Sequence, residues 1–260
     1  MENFHSNIWG DVVAPTSFLE IMNYTVDSKK EVFYWRGQSN ISWTVDSSIV
    51  RRAKHEKVSD INRHIGYWEK NLIEDAKQKL YHYGTNGHIL SDIELLAKLQ
   101  HFGASTRLLD FSKNILIALW FCASENREKT GLLIGISTNI IRGAGEGRFD
   151  FNQNYDDFIE KVLSSKGDIW FIDAPSIVTR ITSQSSVFLC SKCIETTYGS
   201  FSFPEKKYYS LIAISPNLKK EIIIVLSKYF NITPYTIFPD IEGFAKANST
   251  QWKFSQFDRW

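Results

Sequence analysis

The segment that most constrains the fold is NILIALWFCA at 114–123, which is apolar on almost every side. A helix that is hydrophobic all round has no face for water, so this run has few placements other than the interior of a substantial core. The chain has the means to build one: 260 residues, of which 43% are hydrophobic and 14% aromatic. That composition also excludes a disordered chain.

Two polar clusters break the apolar sequence, FYWRGQ at 33–38 and LQHFGASTRLLDFS at 99–112. Arg36, Gln38, Gln100, His101, Arg107 and Asp110 stand where packing alone favours aliphatic residues. Each must therefore be hydrogen-bonded internally or face a cleft, and together they form the candidate ligand site. Structural roles compete with this reading. Arg36 and Asp110 can pair to pin two segments together, which is compatible with a pair at the edge of a cleft. Gln100 and His101 can cap carbonyls at a helix C-terminus, and Thr106 can be an ordinary strand residue. Arg180 and Gln184 have the even spacing that puts both on one side of a strand. Asp240 and Glu242 suit turn and capping roles.

Lys and Arg number 30 against 29 Asp and Glu, a formal charge of +1, so no global basic field marks a duplex-DNA binder. A local groove for a single strand is compatible with this balance. Lys206, Lys207, Tyr208 and Tyr209 form the best such patch, with Lys219 and Lys220 close in sequence, because aromatic rings stack on unpaired bases while lysines follow the backbone. The competing reading is a solvated edge beside buried aromatic residues. The N-terminus carries no signal-peptide pattern, and no apolar run reaches the roughly 18 residues of a membrane span, so a soluble cytoplasmic protein is expected. The three cysteines cannot form a disulfide framework, which agrees with a reducing compartment. Cys190 and Cys193 form one CxxC without a second ligand pair, so no metal is expected.

Helix signals fall at 16–22, 61–81, 91–103, 114–123 and 216–230, with a further helix in ITPYTIFPDIEGFAKA. The helix at 61–81 carries Ile65, Trp68, Leu72 and Ala76 at helical spacing, and Ser91 with Glu94 opens the next in a capping box. Strand signals fall at 31–36, 131–137, 168–172, 186–189 and 210–214. The glycine-rich interval at 143–147 reads as a mobile loop or lid; no strand-then-helix pattern supports a phosphate role. There is no internal repeat. The expected architecture is a single α+β domain over 1–260, a mixed sheet with flanking helices.

FYWRGQSN, LLAKLQHFGASTRLLDFSKNILIALWFCA, WFIDAPSIVTRITSQSSVFL and KKEIIIVLSKYFNITPYTIFPDIEGFAKA resemble, in order, the blocks of the FRG domain, with a core over about 31–247. Ser185 and Ser186 replace the Gln-Gly often seen after Gln184. The order of motifs is also similar to that of ADP-ribosyltransferases, and this weaker resemblance implies their type of fold. It implies that Arg36-Gly37 is the strand arginine that holds NAD and that Ser105-Thr106 and Phe111-Ser112 offer the hydroxyl segment. Residues 114–123 then pack behind, and Gln184 occupies the last motif. The implied NAD-binding set is Arg36, Gln38, Gln100, His101, Thr106 and Arg107, with Arg36, Asp110 and Gln184 catalytic.

Cleavage of the NAD glycosidic bond develops positive charge on the ribose, so the pyrophosphate needs a fork of donors, for which Arg36 and Arg107 are the candidates. Gln184 is neutral where such transferases use a glutamate, which leaves Asp110 as the candidate base. The resemblance implies a bacterial toxin-like effector of anti-phage defence or a toxin-antitoxin system. It would modify a macromolecule, RNA or single-stranded DNA or a protein, and be neutralised by an antitoxin partner. The alternatives are a non-catalytic nucleotide- or RNA-binding module and a structural interaction domain whose polar clusters are buried pairs.

Overall fold

The computed structural model describes residues 2–27, 33–84, 87–143, 154–165, 167–173 and 179–248. The expected glycine-rich loop lies outside the described residues beyond Gly143. Among these residues nine strands form one mixed sheet: β1 (Glu2–Ser6), β2 (Gly10–Ala14), β3 (Phe33–Gln38), β4 (Leu109–Ser112), β5 (Gly131–Ser137), β6 (Ile141–Arg142), β7 (Ile169–Asp173), β8 (Ser186–Cys190) and β9 (Tyr209–Ile214). Their spatial order is β1-β2-β9-β5-β3-β4-β8-β7-β6. The helices are α1 (Phe18–Asp27), α2 (Ser48–His55), α3 (Ile61–Gln78), α4 (Asp92–His101), α5 (Ile115–Ser124), α6 (Tyr155–Ser164), α7 (Thr179–Ser183), α8 (Pro216–Phe230), α9 (Pro234–Ile237) and α10 (Ile241–Ala247). This is the α+β fold expected from the sequence. No helix among the described residues is long and apolar enough to cross a membrane.

Strand alternation sorts the core by face. On β5, Leu132, Ile134 and Ile136 join one cluster with Tyr34, Phe111, Val187 and Phe171. Leu133 faces the other way, onto Leu119, Ile222 and Trp35. On β8, Val187 and Leu189 share the first face, while Phe188 and Cys190 meet a third cluster built by Ile93, Leu96 and Phe158. So α5 and α8 back the β9-β5-β3 half of the sheet, and α3, α4 and α6 back the β4-β8-β7 half.

The apolar run does form a buried helix, α5, started by Asn114, whose side chain accepts from Leu116 N. It lies so close on β3 that a Cβ at Gly37 would stand 1.9 Å from the Ala118 carbonyl oxygen. Gly135 likewise leaves room for the Trp35 ring.

Several elements differ from expectation. The N-terminal hairpin β1–β2 carries little burial to betray it: β1 is exposed or half-buried until Ser6. Thr179–Ser183 is a helix where the spacing of Arg180 and Gln184 suggested a strand, and Ser185 ends it at φ +46°. That is the left-handed conformation that glycine adopts without steric strain. Lys219 is no surface residue. It is buried and donates from Nζ to the carbonyls of Ser39 (2.7 Å), Glu125 (3.2 Å) and Asn126 (3.1 Å), capping the end of α5.

Candidate active site

β3 pairs with β5 over its whole length, and β4 pairs with β8 over all four of its residues. Between β3 and β4 only Trp35 and Ser112 are in register. Beyond that pair the strands part, and Arg36 Nη1 donates to the Asp110 carbonyl oxygen at 2.7 Å in place of a ladder bond. The split opens a cleft of about 330 Å³. Trp35, Ile117, Ala118, Phe121 and Phe238 give it apolar walls; Arg36, Gln100, His101, Asp110, Arg180, Gln184, Ser112 and Ser186 give it polar groups.

One polar chain holds the Asp110 side. The capping box at Ser91 and Glu94 starts α4, which ends with Gln100 and His101 facing the cleft. Gln100 Nε2 donates to Asp110 Oδ1 at 2.9 Å, and Thr106 Oγ1 donates to Gln100 Oε1. Thr106 is itself buried and accepts from Leu108 N at 3.2 Å. A buried hydroxyl thus orients the amide that orients an exposed carboxylate. The opposite side is built by Asp240, which pairs with Arg180 Nη2 at 2.6 Å and lies 3.8 Å from His101 Nε2. Its Oδ1 also accepts from Gly243 N at 2.8 Å, starting α10. Burial alone would raise the Asp240 pKa, but the Arg180 and Gly243 hydrogen bonds and the charges of Arg180 and His101 hold it below the usual carboxylate range. Arg180 also lies over the Phe238 ring, 5.0 Å from its centroid. Gln184 Nε2 donates to Ile237 O at 3.1 Å, and Ser112 Oγ to Gln184 O at 2.7 Å.

Burial is the largest influence on the Arg36 guanidinium and lowers its pKa; Asp110 opposes this and Arg51 adds to it. An arginine so placed still keeps its charge at neutral pH. Its Nε is buried without a hydrogen-bond partner.

The family model described as FRG domain matches residues 31–131. The chain contains an FRG domain. No curated protein and no solved structure matches the chain. The matched FRG region runs from β3 through α5 and so supplies Arg36, Gln100, His101, Asp110 and the α5 wall of the cleft; Arg180, Gln184 and Phe238 come from beyond it.

Of the residues singled out in the sequence, Arg36, Gln100, His101, Asp110 and Gln184 meet at the cleft, with Thr106 one hydrogen bond behind. Gln38 does not line it: its side chain is buried and donates to Thr44 O at 3.2 Å. Arg107 does not line it either, so the expected Arg36–Arg107 fork does not form. The Arg107 side chain is buried, Nε bonds Glu69 Oε2, and Nη2 donates to Tyr155 OH at 3.0 Å. Arg36 and Asp110 do meet, but through the Asp110 main chain, its carboxylate being taken by Gln100. Lys206, Lys207, Tyr208 and Tyr209 are absent from the cleft lining; Lys207 pairs with Glu205 at 2.9 Å and lies over Tyr208.

Phe121, Phe238 and the pairing of Asp240 also belong to the cleft and its supports without a distinctive sequence pattern. The only available signal was the capping pattern of Asp240, which is real but hides the ion pair. Cys190 and Cys193 have thiols pushed up by burial to about 12 and about 11, a state poorly suited to nucleophilic or ligand chemistry.

Proposed function

We propose that this FRG-domain protein binds NAD in the cleft between β3 and β4 and transfers ADP-ribose to a macromolecule, in anti-phage defence or as a toxin held by a neutralising partner. The observation that carries the reading is the split itself. It brings a guanidinium without an ion pair and an oriented carboxylate to one apolar-walled cleft.

The lining suits the parts of a dinucleotide. Trp35, Phe121 and Phe238 offer aromatic surface for flat rings. Arg36 holds pyrophosphate, and Arg180, not Arg107, is the second guanidinium of the cleft. Asp110 takes the proton of an acceptor hydroxyl or amine while the acceptor's lone pair bonds the ribose carbon and nicotinamide departs with the electrons of the broken C–N bond. Gln184 positions: its amide ties the start of β8 to α9. RNA or single-stranded DNA is the proposed acceptor class.

The test is nicotinamide release from NAD with and without RNA, together with transfer of labelled ADP-ribose to RNA and to lysate. Wild type should release nicotinamide, Arg36→Ala should abolish release, and Asp110→Asn should lower it about 100-fold or more. Absence of both release and label transfer by wild type defeats the enzyme reading. A second reading, a non-catalytic nucleotide-binding module, is favoured by one feature: Asp110 is the sole carboxylate among the described lining residues. Saturable NAD binding without release would establish it.

A further inference from the structure

On the far side of Arg36 lies a second, smaller hollow of about 180 Å³ at the start of α2. Arg36 and Asp110 line both spaces, and Arg51, Ser47, Ser48 and Asp46 line the second alone. We propose that this hollow binds a phosphoryl group between Arg36 and Arg51.

The groups left open there are donors. Ser47 is 4% exposed, and its Oγ is buried with no hydrogen-bond partner. It stands at the N-cap of α2, where a serine ordinarily accepts from the first turn, and here makes no such bond. Arg36 Nε is buried and unpartnered as well. The first turn of α2 contains no acidic residue to balance the positive end of the helix dipole. Thr106 O takes the Ile49 N–H at 3.3 Å, so an anion at this point would meet a free hydroxyl and guanidinium donors at once.

The charges around the hollow are arranged for such a guest. Each arginine donates to a main-chain carbonyl: Arg36 Nη1 to Asp110 O at 2.7 Å, Arg51 Nη1 to Asp46 O at 2.6 Å. Both nearby carboxylates are engaged elsewhere. Asp46 accepts from Lys54 Nζ at 3.0 Å, Thr44 Oγ1 at 2.8 Å and Ser200 N at 2.8 Å; Asp110 accepts from Gln100. Two guanidinium charges on one hollow, neither hydrogen-bonded to a carboxylate among the described residues, favour a dianion between them.

This proposal does not depend on NAD occupying the cleft. The full chain should bind inorganic phosphate or pyrophosphate saturably by calorimetric titration. Arg51→Gln should weaken that binding about tenfold or more and Ser47→Ala about fivefold, with unfolding midpoints in phosphate-free buffer unchanged. Wild type without saturable binding of either anion, or both variants binding as wild type does, overturns the proposal. NAD titrated into Arg51→Gln identifies the source. A parallel loss of NAD affinity assigns the group to the dinucleotide. Unchanged NAD affinity beside weakened phosphate binding assigns it to free phosphate or a separate phosphorylated molecule. Phosphate binding without any NAD binding would defeat the cleft reading and leave this one standing.

Discussion

Arg107 and Asp110 stand three residues apart and serve opposite ends. Arg107 is enclosed with Glu69 and Tyr155; burial is the largest single influence and opposes its charge, yet Glu69, Tyr155 and Cys190 together prevail and raise the guanidinium pKa, while burial raises that of the Tyr155 hydroxyl. Asp110 is exposed and oriented by Gln100. Removing Glu69 strands a buried cation, so Glu69→Ala should cost about 3–5 kcal/mol in urea denaturation. Asp110→Asn should cost no more than about 0.5 kcal/mol, the loss falling on the site. Equal losses in the two would sink this division of roles. The sequence presents both as polar residues in RLLDFS, and a cost of burial is legible for each. What separates them is Glu69, 38 positions earlier on α3, and no local pattern announces which buried charge has found a partner.

At the level of elements, local pattern succeeds where the apolar signal is strong. β5 and α8 have the expected bounds, and α5 is displaced by one residue, because burial on both faces of β5 and around α5 leaves continuous apolar runs. It fails where exposure erases the pattern, as in β1, or where a short helix rests on tertiary contacts, as in α7, whose Ser183 Oγ donates to Ile237 O at 3.0 Å. Gly37 shows the same limit: the sequence displays a glycine after Arg36, but only the fold shows α5 seated on it. Gly37→Ala puts a methyl 1.9 Å from Ala118 O and 2.7 Å from Cys122 N, atoms of a helix backbone that cannot turn aside. The helix must lift from β3, at a cost of about 3 kcal/mol or more, and the cleft wall formed by Ile117, Ala118 and Phe121 shifts with it. A chemical-denaturation curve for Gly37→Ala superimposing on that of wild type would refute the close seating.

Across the whole molecule, the sheet halves share one register pair, so side-chain ties must supplement the main-chain ladder. Two of these ties are carboxylates. Asp46 joins the loop after β3 to Ser200, beyond β8, and Asp240 joins α7 to the start of α10. Burial pushes the Asp46 pKa upward, but hydrogen bonds from Ser200, Thr44 and Lys54 prevail and lower it; Asp240 is lowered by the balance described above. A carboxylate with a depressed folded-state pKa stays ionised in the native protein after the unfolded chain has begun to take up its proton. As pH falls below about 5 the unfolded state therefore binds more protons, and the stability these groups contribute is lost as pH passes through the unfolded value near 3.9 and then through the lower folded values. The urea midpoint should accordingly hold steady above about pH 5 and fall between about pH 5 and pH 2. In the double variant Asp46→Asn, Asp240→Asn the protein should be less stable at neutral pH and lose less on acidification. An acid slope identical to that of wild type would mean that other groups carry the dependence and that these two ties do not join the parts of the fold as argued.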